Sequence, residues 1–165
     1  MTHDIDETGI IVRAARDADL PAVLALYAQP GVDDGAMLSL AEARDILARF
    51  ARYPDYRLLV AERDGRVVGT YALLVMDNLG HLGAPSAIVE GVMVDPATQG
   101  QGIGRAMMRH AMREAERRGC YKLVLSSNLK RDRAHAFYEG LGFEQHGLSF
   151  CVTQAAMSAR EHEAS

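Results

Sequence analysis

The chain has 165 residues, enough for one domain with a single core. With 18 Lys and Arg against 22 Asp and Glu, a net charge of -4 and a pI near 5.8, it lacks the dominant basic face that nucleic-acid binding requires. No apolar run is long enough to span a bilayer, and residues 1–9 are acidic and polar, without the basic start and apolar stretch of a secretory signal. The expectation is a cytoplasmic protein with no membrane or nucleic-acid partner. Cys120 and Cys151 have no CxxC spacing and read as two reduced, buried thiols. The histidines are scattered, so no metal site is expected.

Ile10 to Ala14 is a short β-type run. Asp17 or Asp19 can cap the helix that follows, which carries Val23, Leu24 and Leu26 and tolerates Pro21 in its first turn. Gln29 to Ala36 reads as a loop. Ser39-Leu40-Ala41-Glu42 has capping-box spacing and opens a helix to about Phe50. Arg57 to Arg63 is a strand, Asp64-Gly65 a hairpin turn, and Arg66 to Met76 the returning strand. A glycine-containing loop over Asp77 to Ser86 leads to a strand over Ala87 to Val94, which Asp95-Pro96 ends.

Ile103 to Arg118 carries the strongest helical pattern. Ile103, Met107, Met108, Ala111, Met112 and Ala115 form its apolar face, arginines and Glu116 take the other, and Gly119 stops it. Tyr121 to Ser126 is a strand and Asp132 to about Gly140 a short helix. One or two strands should follow Phe143, including Leu148 to Val152. The order β-α-α-β-β-β-α-β-α-β predicts one mixed α/β domain over residues 10–154. A flexible N-terminus, 1–9, should precede it, and a fraying tail, 155–165, should follow.

Chemistry concentrates between Val92 and Arg105. There, Val92-Met93-Val94-Asp95-Pro96-Ala97-Thr98-Gln99 leads into glycines at 100, 102 and 104 and then into the long helix. Glycine lets a ligand approach the backbone. The first helical turn offers unpaired N–H groups at the positive end of the dipole. Together they suit a phosphate or pyrophosphate. A Walker loop would need Lys after Gly102, where Ile103 stands, and a dinucleotide fingerprint counted from Gly100 would place its third glycine at Arg105. The plain alternative is a loop that only joins strand to helix.

Gln99-x-x-Gly102-x-Gly104 resembles the Gln/Arg-x-x-Gly-x-Gly/Ala signature of the GNAT acetyltransferases. Val92-Met93-Val94-Asp95-Pro96 looks like that family's fourth strand, and Ala134-His135-x-Phe137-Tyr138-Glu139-x-x-Gly142-Phe143 resembles its C-terminal motif. The match runs from about Arg57 to Val152. It implies a GNAT fold, a mixed central sheet with a splayed cleft between strands 4 and 5, and acetyl-CoA as cosubstrate. By the resemblance, pantetheine pairs with the backbone of Val92, Met93 and Val94. The pyrophosphate meets the N–H groups of a run that starts at Gln99 or at Gly100 and continues through Gln101, Gly102, Ile103 and Gly104 to Arg105. The Arg105 guanidinium is either a further contact or a solvated helix-face residue. Asn128 fits a cofactor-contacting position and equally an Asx turn.

Acetyl transfer to an alkylamine requires removing a proton from a group with pKa near 10.4, a cost of about 4 kcal/mol at neutral pH. Glu90 is the lone carboxylate in its strand. It corresponds to a glutamate that some family members use to take the amine proton through water. A solvent-facing or paired strand glutamate is the alternative. The family places the tyrosine at position 138 beside the departing sulfur as an acid; packing beside Phe137 is the alternative. The segments around Val89-Glu90 and Tyr121 to Leu125 look like glucosamine-phosphate N-acetyltransferases. Leu125 to Tyr138 looks more like aminoalkylphosphonate N-acetyltransferases. The expected partner is therefore a small-molecule amine, with a homodimer left open. A CoA-binding regulatory module, or an acetyltransferase acting on a protein or aminoacyl-tRNA amine, is the competing reading.

Overall fold

The computed structural model describes residues 8–127 and 132–163, in two units, Met1–Leu125 and Ser126–Ser165. In the first unit the strands β1 (Ile11–Ala14), β2 (Tyr56–Arg63), β3 (Arg66–Met76), β4 (Ser86–Val94) and β5 (Lys122–Leu125) build one sheet in the order β1-β2-β3-β4-β5. All neighbours are antiparallel except β4 and β5, which are parallel. The hairpin between β2 and β3 turns at Asp64 and Gly65, with φ of 51° and 73°. Two consecutive positive φ values match the twist of the flanking strands, which explains the Asp-Gly pair.

Alternation along β3 separates the two faces of the sheet. Gly69 meets Ile103 and Met107, and Tyr71 Oη lies 2.7 Å from Nδ1 of His110. Those partners belong to α3 (Ile103–Arg117). Ala72, one position on, lines a cavity with residues of α1 (Leu20–Tyr27) and α2 (Leu40–Phe50). The sheet is thus covered by α1 and α2 on one side and by α3 on the other.

α3 buries Ile103, Ala106, Met107, Met108, Ala111 and Ala115, and also Glu114. The carboxylate of Glu114 is held by Arg57 of β2 at 2.9 Å and by Arg117 one turn on, so a charge takes a place on the inward face. Gly119 (φ 68°) ends the helix. Its N–H donates to the Glu116 carbonyl, and that of Cys120 to Ala115, the double closure of a Schellman motif. At the other end, a Cβ on Gly69 would stand 2.9 Å from Ile103 Cγ2 and 3.0 Å from Met107 Sδ. The start of α3 therefore lies directly on β3. Gly69→Ala is expected to cost about 1–3 kcal/mol by overpacking, read as a lower urea midpoint at unchanged slope.

α2 opens as the capping box predicts. Ser39 Oγ accepts the Glu42 N–H at 3.2 Å, and the Glu42 carboxylate accepts the Ser39 N–H at 2.9 Å. The start of α1 differs from expectation. A 3-10 turn over Asp17–Asp19 precedes it, and Asp19 makes no side-chain cap bond to it. The Asp19 carboxylate instead takes two bonds from Arg13, at 2.7 and 2.9 Å, and one from the Arg16 N–H. Arg13 also reaches Glu62, tying β1 to β2.

The Arg13 bonds, with the Arg16 N–H, hold the Asp19 carboxyl below its ordinary value against the opposing effect of burial. A folded-state pKa below the unfolded one gives stability that is complete above the unfolded value, about 3.9, and is lost as pH falls through the folded value. Asp19→Asn is expected to cost about 1.5–3 kcal/mol at pH 7, the worth of hydrogen bonds to a charged group. The gap to wild type should close below about pH 4. A gap that stays constant in urea titrations from pH 7 to pH 3 would show that the carboxylate charge contributes nothing.

The second unit holds α4 (Asp132–Gly140) and α5 (Gln154–Glu163). Its C-terminal part corrects the sequence reading. No strand forms over Leu148 to Val152 among the described residues, and Leu148 and Phe150 are 79% and 89% exposed. Alternation marks a strand only when a neighbour takes its backbone hydrogen bonds. The element order ends in a helix, and the segment expected to fray carries α5. Thr153 supplies its start: Oγ1 accepts the Ala156 N–H at 3.3 Å and the carbonyl accepts that of Met157 at 3.0 Å. The Ala-rich sequence that follows favours helix.

Candidate active site

The ladder between β4 and β5 covers only Ser86↔Lys122 to Val89↔Leu125. From Glu90 to Val94 that edge of β4 has no strand partner among the described residues. On the opposite edge, Glu90 faces Ala72 and Met93 faces Thr70. Gly91 and Val92 are thus set against Tyr71 alone, a β-bulge. Gly91 has φ 60°, and a Cβ there would lie 2.9 Å from Tyr27 Oη, so the position requires glycine. Tyr27 donates its hydroxyl to the Gly91 carbonyl at 3.3 Å, and Gln29 donates Nε2 to the Val94 carbonyl at 3.1 Å. Tyr27, the last residue of α1, and Gln29 just after it thus hold the bulge and the end of β4 from one side.

The chain leaves β4 through a tight turn. Asp95 Oδ1 accepts the Ala97 N–H at 2.9 Å, and a single turn of 3-10 helix covers Pro96–Thr98. The Gln99 and Gln101 N–H groups are spent inside this turn, on the carbonyls of Pro96 and Thr98. The Gln101 side chain is engaged by Arg63. Gly100 and Gly102 have φ of 75° and 85°, and Gly102 caps α3 in the left-handed region. Its carbonyl accepts the first helical bond, from the Ala106 N–H at 3.0 Å. The N–H groups of Gly100, Gly102, Ile103, Gly104 and Arg105 have no acceptor among the described residues. Arg105 is exposed. The open strand edge and these N–H groups are separated by the turn over Pro96–Thr98, and N–H groups of this kind at a helix start suit an anion.

On the α1/α2 face, a cavity of about 220 Å³ lies against the bulge. Leu24 and Tyr27 of α1, Leu47 and Phe50 of α2, Tyr56 of β2 and Glu90 of β4 are among its walls. Phe50 stacks on Tyr56 with ring centroids 4.0 Å apart. Burial, then Tyr56 and Asp33 nearby, pushes the Tyr27 phenol up to about 12. Burial and the charge of Glu90 also raise that of Tyr56. Both phenols are therefore neutral donors at physiological pH. Glu90 thus belongs to the cavity wall, one residue before the glycine that opens the strand edge. Tyr27, Gln29 and Tyr56 escaped the sequence reading. The Gly91 that interrupts an apolar strand next to Glu90 was the signal for a bulge.

In the second unit, the Phe-Tyr and Gly-Phe pairs prove to be the end of one helix. Gly142 (φ 95°) donates to the Glu139 carbonyl, and Phe143 to that of Tyr138. This Schellman closure brings the Tyr138 and Phe143 rings to 5.7 Å, while Phe137 and Tyr138 meet edge to face at 5.2 Å. The spacing of this motif is thus a helix-stop geometry that fixes the ring of Tyr138. Asn128, expected at the cofactor, lies outside the described residues.

The profile of the Acetyltransferase (GNAT) family matches residues 20–143. The chain belongs to the GNAT family. Its GNAT relatives include an aminoalkylphosphonate N-acetyltransferase of Salmonella typhimurium, 35% identical over 65% of this chain and 69% of that protein. Another is a glucosamine 6-phosphate N-acetyltransferase of Trypanosoma brucei brucei, 34% identical, for which the match spans 50% of this chain and 54% of the relative. Among solved structures, a putative acetyltransferase from Agrobacterium tumefaciens has a TM-score of 0.80 and 35% identity, over 87% of this chain and 99% of that one. The GNAT fold accounts for the five-stranded mixed sheet with its flanking helices, and the family uses acetyl-CoA as acyl donor. Among the described residues no helix is long and apolar enough to cross a membrane.

Proposed function

We propose that the protein is an N-acetyltransferase that moves the acetyl group of acetyl-CoA to the primary amine of a small molecule. One observation carries this reading: among the described residues, the edge of β4 from Glu90 has no strand partner, it leads through one turn to N–H groups without acceptors at Gly100 and Gly102 to Arg105, and it borders the cavity that Glu90 lines. When bound, acetyl-CoA supplies an acyl group activated as a thioester. The backbone of Val92 to Val94 holds the pantetheine arm, and the N–H groups at the start of α3 hold the pyrophosphate.

The Glu90 carboxylate takes the proton of the amine through a water molecule, which makes the nitrogen nucleophilic. Tyr138 provides its phenol proton to the departing sulfur; this role rests on the resemblance of the Phe137 to Phe143 motif. No acyl-enzyme is needed. Cys120 sits at the far end of α3, and burial raises its thiol, which disfavours the reactive thiolate.

The test is thiol release from acetyl-CoA over a panel of amines, with Tyr138→Phe beside wild type. The variant should keep its acetyl-CoA affinity and lose about 100-fold in kcat, the lower range for a general acid. Wild-type turnover would return Tyr138 to packing against Phe137 and Phe143. The absence of thiol release with every amine, in a protein that binds CoA, would favour a regulatory module.

A further inference from the structure

The cavity beside the bulge has a composition unlike that of a site for a phosphorylated amine. Among the described residues its walls are aliphatic and aromatic apart from two phenols and one carboxylate, with no Lys, Arg or His. The segment 28–39 that joins α1 to α2 brings Asp33 and Asp34 and no basic residue. Asp33 is close enough to act on the Tyr27 phenol, and Glu90 on that of Tyr56. Among the described lining residues the one formal charge is therefore negative.

A phosphate or phosphonate entering there would exchange its hydration for hydrocarbon and meet a carboxylate of its own sign, with no cation among the described lining residues to compensate. An ammonium group gains from the Glu90 carboxylate at the exposed rim of the cavity, and an apolar body that follows it into the space behind gains the burial as well. The size suits that body. A closed apolar cavity of about 150 Å³ takes up benzene, and this one, at about 220 Å³, adds room for a short aliphatic arm.

We infer that the acceptor is a primary amine on an uncharged apolar body, an arylalkylamine or alkylamine, bound with its nitrogen at Glu90 and its body between α1 and α2. This rests on the acetyltransferase reading for its consequence but not for its test. The named relatives that act on an aminoalkylphosphonate and on glucosamine 6-phosphate would differ from this chain in acceptor class.

The test compares 2-phenylethylamine with 2-aminoethylphosphonate, equal in arm length and opposite in body. Calorimetry on the protein saturated with CoA reads binding, and thiol release from acetyl-CoA reads turnover. CoA binding, titrated first, decides the cofactor site by itself. Phenylethylamine should bind at least 100-fold more tightly than the phosphonate, whether or not turnover is seen. Leu47→Lys, a half-buried change on α2 that brings a cation to the wall, should weaken phenylethylamine about 10-fold and strengthen the phosphonate. Equal affinities, a preference for the phosphonate, or no binding of either amine to a protein that binds CoA would each overturn the inference. So would a Leu47→Lys protein that folds and binds phenylethylamine as wild type does.

Discussion

Replacing Gly102 or Gly104 by glutamate is expected to abolish the rise in melting temperature that acetyl-CoA gives the wild-type protein. A ligand present at 100 times its Kd stabilises the native state by about 2.7 kcal/mol. For a chain of this size that is roughly 5–10 °C, at 2–4 °C per kcal/mol. The five N–H groups between Gly100 and Arg105 that have no acceptor among the described residues attract an anion through local dipoles. A carboxylate added among them both occupies the space and cancels the field. The two positions separate charge from strain. Gly102 has φ 85°, and a Cβ there would find its nearest neighbour, Thr8 Cγ2, at 3.9 Å; the cost of a side chain is thus backbone strain rather than collision. Gly104 lies within the right-handed α3, where alanine is better tolerated than glycine. Gly104→Ala should therefore retain the shift while Gly104→Glu loses it. A full acetyl-CoA shift in both glutamate variants would remove the pyrophosphate from this loop.

How far the sequence carries depends on whether a signal is local. The Asp64-Gly65 turn, the Ser39/Glu42 box and the Gly119 stop are each decided by a few adjacent residues, and each is found where its chemistry predicts. The backbone of the loop before α3 is legible for the same reason, since glycine at 100 and 102 answers a demand for positive φ. Asp19 is different. Its competing partner, Arg13, lies on another element, and a bidentate guanidinium outbids a cap. Glu114 is held inward by Arg57 from β2, which no helical periodicity reveals. The cavity beside the bulge was hidden most completely, because its walls come from α1, α2 and three strands and share no motif. Tyr27 gains meaning only once α1 is laid across the Gly91 bulge. Leu148 to Val152 failed in the other direction: a strand-like alternation is present, but no pairing partner among the described residues completes it.

Glu90→Gln is expected to lower kcat/KM near neutral pH and to lose progressively less as pH rises. The amide keeps the size of the side chain in the cavity wall and removes its capacity to take a proton. At pH 7 an alkylamine is almost entirely protonated, so the relay supplies a form that solution lacks; near pH 10 free amine is abundant and the relay adds little. The wild-type profile should rise along an acidic limb that belongs to the carboxylate, water and amine together. Acetyl-CoA affinity should stay unchanged, because the proposed cofactor site is the backbone of Val92 to Val94, which makes no demand on this carboxylate. Binding of the amine is a separate matter. Glu90 is the single carboxylate of the described wall, so its loss should also raise KM for a cationic acceptor. That effect is present wherever the amine is charged and disappears over the same pH range, so kcat at saturating amine is the quantity that isolates the proton relay. If kcat of the variant falls at pH 7 and approaches wild type at pH 10, Glu90 is the base. If the ratio of the two proteins is flat in kcat while KM alone responds to pH, Glu90 holds the ammonium by charge and the proton leaves by another route.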